Sequence, residues 1–228
     1  MPPLQFLVTD AWKSRYPGAV VGVLAMRGVD NPAGHPAVDA LKKAKEDELR
    51  ARFAGQDRAA LKNLPEIKAY EAYYGMYGKT YHVLLQLESI ALKGKPFAST
   101  GALVQVMFVA EVGNLILTAG HDLDRIVPPM TLDIASGTES YMLYFGKEQS
   151  PKKDDMMISD AEGITSSVIL GPDQRTRINA DTKNVLFATY APAGIGKEAM
   201  VRHLEEIRRG ALMISPNAST ELCEVYEA

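Results

Sequence analysis

Cysteine is nearly absent from this chain, because Cys223 is the only one among its 228 residues. One thiol cannot form an internal disulfide, and it cannot build the cysteine cage of a structural zinc site. A lone cysteine is also common in proteins of the reducing cytosol. The sequence therefore predicts a cytoplasmic protein.

Long apolar runs are missing as well. No segment approaches the roughly 20 apolar residues that a helix needs to cross a membrane. The start, MPPLQFLVTDAWK, lacks the basic region and the long apolar stretch of a signal peptide. We expect no membrane partner.

The chain has no excess of positive charge, since its formal net charge is -3. This argues against a protein that coats nucleic acid non-specifically, because such binding depends on neutralising phosphates. A local basic patch is still allowed. The content of 46% hydrophobic and 23% charged residues is that of an ordinary globular protein. We expect residues 1–228 to form one domain.

Common catalytic and metal-binding motifs are also missing. There is no Walker loop, GxSxG, HExxH or dinucleotide fingerprint. No two histidines share a metal-binding spacing, so we expect neither a metal nor a cofactor. His203 lies next to Arg202 in the middle of a predicted helix and should be exposed. The four histidines are His35, His82, His121 and His203.

Helical patterns dominate the first half of the chain. Residues 36–53 are strongly helical, and two pairs at i,i+4 spacing, Glu46–Arg50 and Glu48–Arg52, are expected on an exposed face. Residues 81–92 and 100–112 carry apolar side chains at helical spacing and predict buried helices. Near the end, residues 196–210 predict an amphipathic helix. Its inward side chains should be Met200, Leu204 and Ile207.

Short strand-like runs dominate the second half. Gly, Pro, Asp and Asn separate these β-branched and aromatic runs, as in antiparallel sheet. Two similar runs precede the helices, and residues 146–155 predict a polar hairpin tip. The pattern predicts an α+β fold, with helices mainly in the N-terminal half around a mixed or antiparallel sheet. The strand-like runs are 4–9, 19–26, 115–120, 130–136, 140–146, 156–160, 163–170 and 185–191.

Two polar turns attract attention. His121 and Asp122 follow a strand-like run in LTAGHDLDRI, where they could orient a ligand or supply a base. Alternatively, the aspartates cap backbone amides in a simple turn. Two further acids, Glu88 and Glu111, lie near apolar helix surface and either pair with a base or serve function.

The second turn is GPDQRTRI, residues 171–178. Arg175 offers a planar fork for carboxylate or phosphate, Asp173 could hold that fork, and Thr176 supplies a hydroxyl. The same residues could instead form only a polar hairpin. Asp160 opens another tight turn. We expect the loop to share a cavity with His121 and Asp122, because convergent polar groups are the default site hypothesis.

Four segments in this order resemble one known family. They are QLESIALKG, LVQVMFVAEVGNLILTAGHDLDRI, SDAEGITSSVILGPDQRTRI and DTKNVLFATYAP. The chain is similar to a free-standing B3/4 domain, the editing and tRNA-binding module of the phenylalanyl-tRNA synthetase beta subunit. The resemblance is best over residues 65–215, and the strands and charged helix of residues 1–64 suit stand-alone members. It implies a pocket that in the synthetase hydrolyses mischarged tRNA.

The chain departs from that family at its best-known polar positions. Gln105, Val106, Met107 and Phe108 replace an aspartate-x-threonine-asparagine segment. The family's editing histidine falls near Ala119, and its glutamate on the last strand falls near Ala188. The glycine-rich turn of the pocket corresponds to residues 163–167.

Two functions follow from the resemblance and the loops. The first is a trans-acting deacylase, in which His121, Asp122 or Thr176 orients water and amides near Gly163 stabilise the oxyanion. The binding residues would be Asp160, Gly163, Asp173, Arg175 and Arg177, with tRNA or aminoacyl-tRNA as partner. The alternative is a non-catalytic module that binds an amino acid, a nucleotide or an RNA end.

Overall fold

A computed structural model describes residues 4–228. It contains helices and strands throughout the chain. The helices are α1 (Asp10–Arg15), α2 (Pro36–Arg52), α3 (Arg58–Lys62), α4 (Pro65–Gly75), α5 (His82–Leu87), α6 (Ala102–Asn114) and α7 (Lys197–Ile214). A π-helical turn (Glu88–Leu92) continues α5, and a 3-10 turn spans Leu123–Arg125. The strands are β1 (Phe6–Val8), β2 (Val20–Arg27), β3 (Leu117–Asp122), β4 (Met130–Ile134), β5 (Tyr141–Met142), β6 (Glu148–Gln149), β7 (Met156–Asp160), β8 (Gly163–Ser167), β9 (Gly171–Pro172), β10 (Asn184–Ala191) and β11 (Ser219–Glu227).

The central sheet is four-stranded and antiparallel, in the order β11-β2-β10-β3. Alternate residues of β2 enter two different cores, because successive side chains of a strand point to opposite faces. Leu24 and Met26 pack with α6 and α7, whereas Val23 and Ala25 join the core on the other face. Burial on both faces explains why β2 is an unbroken apolar run in the sequence.

The second sheet has five strands in the order β1-β4-β7-β8-β9. Its β1–β4 pair is parallel and the remaining pairs are antiparallel, so the sheet is mixed. Leu132 of β4 and Ile158 of β7 share a core with Val23 of β2 and with tyrosines from α4. The predicted α+β class is therefore confirmed. The β5 and β6 strands form a separate hairpin.

Several elements differ from the sequence prediction. The residues after β1 form α1, where the side chain of Thr9 accepts a hydrogen bond from the backbone N–H of Trp12 and caps the helix. The sequence pattern did not predict the last strand, β11. Its polar and apolar residues do not alternate regularly, because the strand lies at an edge of the sheet. The segment 146–155 is not only a hairpin tip, since Glu148–Gln149 forms β6.

The ion pairs of α2 agree only in part with the two pairs predicted from the sequence. Glu46 does bind Arg50, at 3.2 Å, but Glu46 is buried and accepts a hydrogen bond from the backbone N–H of Phe97. Glu48 pairs with Lys45 and not with Arg52. One side of this helix is therefore packed where the sequence predicted a solvated surface.

The prediction of an exposed His203 is wrong. Its side chain is fully buried, and burial lowers its pKa to about 3. His203 lies three residues after Met200 and four before Ile207, on the same face of α7. Helical spacing puts it on the same face as these apolar side chains, but the packing of α7 against other elements makes that position fully buried.

None of the helices within residues 4–228 combines the length and the apolar character that crossing a bilayer requires.

Candidate functional site

The two polar turns predicted from the sequence meet in the structure. The backbone N–H of Asp122 donates to the carbonyl of Thr176 at 2.6 Å. His121 and Arg177 form an isolated β-bridge. The loop 171–178 therefore lies beside the end of β3, as a continuation of its edge.

His121, Thr176 and Asp173 form a buried chain of hydrogen bonds. The hydroxyl of Thr176 donates to Oδ1 of Asp173, which also accepts the backbone N–H of Thr176 at 3.1 Å. Since the only hydroxyl proton of Thr176 is used there, Nδ1 of His121 is the donor in its 2.7 Å contact with Thr176 Oγ1. Burial raises the pKa of Asp173.

His121 is electrically neutral and closed to solvent. Its exposed fraction is 0%, and burial lowers its pKa to about 4. With Nδ1 protonated, Nε2 is a lone-pair acceptor, and it has no hydrogen-bond partner among residues 4–228. Nε2 is therefore closed to a substrate in this structure.

The guanidinium group of Arg175 donates hydrogen bonds to other residues of the same chain. Nη2 donates to Asp160 Oδ1 at 2.8 Å, and Nη1 donates to the carbonyl of Arg125 at 2.6 Å. Asp160, not Asp173, is thus the closer carboxylate, because Asp173 lies 3.7 Å from the guanidinium. Asp160 also accepts the backbone N–H of Val127 at 2.9 Å, so the arginine ties two turns together.

Asp122 and Gly163 take up turn positions. Asp122 accepts hydrogen bonds from the backbone of Asp124 at 3.1 Å and from the hydroxyl of Thr182 at 2.8 Å. This is the capping geometry that the sequence left open. Gly163 is exposed at the start of β8, with φ +137, a conformation that disfavours other residues.

Replacing Thr176 with valine is expected to destabilise the protein by about 1–3 kcal/mol, because Asp173 and His121 would each lose a buried hydrogen-bond partner. Urea unfolding measures the change. Thr220→Val, at an exposed position of β11, is the matched control and should change stability by less than about 0.5 kcal/mol. Equal effects of the two substitutions would contradict the buried network.

Two alanines, which the sequence resemblance places near the family's editing residues, lie side by side. Ala119 of β3 and Ala188 of β10 are direct partners in the sheet register. Both are buried in the hydrophobic core that also holds Met130 and Ile158. Neither methyl group can donate or accept a proton, so this pair of positions cannot activate water.

The two other acids have different surroundings. Glu88 binds Lys93 at 2.7 Å and Arg58 at 3.4 Å, which is the pairing role considered from the sequence. Glu111 is buried on α6, where Oε2 accepts the backbone N–H of Thr118 at 2.8 Å. Burial raises the pKa of Glu111 to about 8, so it is mostly protonated at neutral pH.

The exposed part of this region is the β5–β6 hairpin, whose aromatic residues were not among the predicted site residues. Its residues bond to the loop: Tyr144 N–H donates to the carbonyl of Pro172, and Gln174 N–H donates to that of Met142. At its tip Phe145 is 90% exposed. The ring of Tyr144 lies 5.0 Å from that of Phe145, edge to face. In the sequence YMLYFG, an aromatic pair stands directly before a turn glycine, and this pattern could have predicted exposed rings at a hairpin tip.

Within residues 4–228 no three His, Cys, Asp or Glu side chains are grouped so that they could hold a metal ion.

The sequence matches none of the protein-family models and none of the curated proteins with which it was compared. Among solved structures, its fold is similar to that of an N-terminal fragment of the phenylalanyl-tRNA synthetase beta subunit from Pyrococcus horikoshii, with a TM-score of 0.50 and 12% identity. The match covers 99% of this chain and 55% of the other, so the chain spans about half the length of that structure. The likeness is one of fold.

Proposed function

We propose that this protein binds the single-stranded end of tRNA on the surface formed by the β5–β6 hairpin tip and the outer side of the loop 171–178. The observation that carries the proposal is the exposed aromatic pair, Tyr144 and Phe145, held against that loop. We call this surface the hairpin surface; it comprises Tyr144, Phe145, Lys147, Gln174 and Arg177.

Exposed aromatic rings suit unpaired bases. Each base has a flat face, and its stacking on an aromatic side chain contributes about 1–3 kcal/mol whatever the base. Phe145 gains nothing from the core at 90% exposure, so its ring is available for such a contact. The edge-to-face contact with Tyr144 holds the two rings in different planes.

Positive charges accompany the rings. Lys147 follows the aromatic pair, and Arg177 is exposed on the neighbouring loop. In the part of the chain that the structure describes, neither has a carboxylate within 4.0 Å. Both are therefore available for phosphate contacts. Two exposed cations, one on the hairpin and one on the loop, are compatible with a net charge of -3, which disfavours non-specific coating of nucleic acid.

The choice of tRNA among RNAs rests on the fold and on the order of the sequence segments. The structure is similar to a fragment of a tRNA synthetase subunit. Binding without hydrolysis is favoured because His121 and Thr176 are buried and because Ala119 and Ala188 cannot act on water. A deacylase would need the loop 171–178 to open.

Replacing Phe145 with alanine is expected to weaken binding of a short single-stranded RNA ending in CCA by about 5- to 100-fold, since one stacking contact is lost. Phe145→Trp should bind at least as tightly as the wild type. Fluorescence anisotropy at low salt measures both. Val201→Ala, at an exposed apolar position of α7, is the control. Retention of full affinity by Phe145→Ala, or no RNA binding by the wild type, would refute the proposal.

Salt dependence and deacylation separate the remaining alternatives. Loss of one phosphate contact in Arg177→Ala should reduce the slope of log K against log salt by about 0.7.

A panel of charged tRNAs then tests hydrolysis. Loss of an amino acid faster than in buffer would establish the deacylase in place of simple binding, and Thr176→Val would show whether the buried network takes part.

A further inference from the structure

A small polar pocket of about 150 Å³ lies where the last residue of α2, the N-terminal parts of α4 and α7 and the C-terminal end of α6 meet. We call it the arginine pocket. It shares no residue with the hairpin surface, so it is independent of the proposed RNA contact. Its lining residues are Arg52, Glu66, Gly113, Asn114, Leu115, Ile116, Ala199 and Arg202.

The two arginines of this pocket have no partner in the protein. Both are exposed, and within residues 4–228 neither guanidinium donates a hydrogen bond or has a carboxylate within 4.0 Å. Other arginines of the same two helices do pair, as Arg50 with Glu46 and Arg208 with Glu205. Each guanidinium carries five N–H donors in a planar fork that fits the two oxygens of an oxyanion. The pocket therefore offers an anion two unused forks.

The arginines do not serve the C-terminus of α6. The last carbonyl groups of a helix attract cations and often accept hydrogen bonds from arginine. No such bond joins either guanidinium to a carbonyl among residues 4–228. The guanidinium carbon of Arg52 lies instead over the ring of Phe53, 4.9 Å from its centroid. This contact positions the side chain through its flat face and leaves the N–H edge available.

Contacts behind the pocket hold its wall in place. The side-chain nitrogen of Asn114 lies 2.7 Å from Glu206 Oε2 and 3.2 Å from His203 Nδ1, and so ties α6 to α7. The carbonyl of Leu115 accepts a hydrogen bond from the hydroxyl of Tyr81 at 3.1 Å. The wall is thus formed before any ligand arrives, which lowers the cost of binding.

The third charge of the pocket decides which anion fits. Glu66 is half-buried, and within residues 4–228 no cation lies within 4.0 Å of its carboxylate, whereas Glu71 on the same helix pairs with Lys62. Two positive charges and one negative charge leave the pocket with a net charge of +1. One negative charge balances this, while a phosphate dianion would meet stronger repulsion from Glu66.

We propose that the arginine pocket binds a small monocarboxylate, whose oxygens accept hydrogen bonds from Arg52 and Arg202. The volume lies below the roughly 300–1,000 Å³ of drug-sized sites, so the ligand has only a few heavy atoms.

Propionate and propionamide test the proposal, because the two molecules share a shape and only propionate is charged. Titrations followed by ¹H–¹⁵N NMR at low salt should give propionate a Kd of about 1–10 mM, with shifts at residues 113–116. Propionamide should bind about 10-fold more weakly or not at all. Arg52→Gln and Arg202→Gln should each weaken propionate binding by about 5-fold or more. Arg125→Gln, at an exposed arginine outside the pocket, should leave binding unchanged.

Glu66→Gln separates a selective pocket from a general attraction of anions to surface charge. In the wild type, phosphate should bind more weakly than propionate. In Glu66→Gln both should bind more tightly, and phosphate should gain more because a dianion feels twice the repulsion. Absence of saturable shifts at 113–116, equal binding of propionate and propionamide, or full affinity in both arginine variants would overturn the proposal. Tighter binding of phosphate than of propionate by the wild type, or an unchanged preference in Glu66→Gln, would overturn it as well.

Discussion

Replacing Glu111 with glutamine is expected to raise the free energy of unfolding, relative to wild type, by about 4 kcal/mol more at pH 9 than at pH 5. Glu111 is buried on α6, and desolvation raises its pKa to about 8 from 4.5. Between these two values the folded state binds a proton that the unfolded state does not. The stability of the wild type is therefore complete below about pH 4.5 and falls as the pH rises through 8.

Urea unfolding at pH 5, 7 and 9 measures this difference. Glutamine keeps the shape of the side chain and an acceptor for Thr118 N–H, but it cannot ionise. Glu224→Gln, at an exposed position of β11, is the control and should change stability equally at all three pH values. A pH-independent effect of Glu111→Gln would show that the carboxyl group is not held neutral.

Replacing His203 with glutamine is expected to have the opposite pH dependence. Burial lowers the pKa of His203 to about 3 from 6.5, so between these values the unfolded state binds the extra proton. Its contribution to stability is complete above about pH 6.5 and is lost as the pH falls. Between pH 7.5 and pH 4 the wild type should lose roughly 3 kcal/mol relative to His203→Gln.

The same unfolding experiment at pH 7.5, 5.5 and 4 tests this result. Arg202→Gln, the exposed neighbour on α7, is the control and should follow the wild type. If the difference between wild type and His203→Gln stays constant with pH, the imidazole is not buried in its neutral form.

Thr118 connects these two groups. Its backbone N–H donates to Glu111, and its hydroxyl oxygen lies 2.7 Å from His203 Nε2. Asn114 Nδ2 donates to Nδ1 of the same ring at 3.2 Å, so Nε2 carries the proton in the neutral tautomer. A neutral acid on α6 and a neutral base on α7 are thus both buried, where the ionised form of either would be desolvated.

The buried polar network changes how the loop 171–178 is interpreted. The sequence placed an acid, two arginines and a hydroxyl in one turn, and those residue types suit a ligand. The structure directs Asp173, Thr176 and Arg175 toward their own chain. Exposed aromatic side chains, Tyr144 and Phe145, lie instead on the adjacent hairpin.

By itself the sequence determined the fold class and most elements. Unbroken apolar runs predicted β2 and β10, because both faces of these strands are buried, and apolar residues at helical spacing predicted α6 and α7. It also determined that His121 and the 171–178 loop hold polar groups. The sequence did not show whether these side chains face the solvent or bind buried partners, because a polar residue in a turn can do either.

Only the tertiary structure decided the environment of each polar side chain. His203 and Glu111 lie next to apolar residues in the sequence, yet their neutral states depend on elements far away in the chain that exclude water. Ala119 and Ala188, 69 residues apart in number, become partners only when β3 pairs with β10. A cavity between α5 and α6 is likewise lined by residues of both helices and of the segment 96–98, which are separate in the sequence. Contacts between distant segments set burial, and burial sets both the charge of a side chain and its access to a ligand.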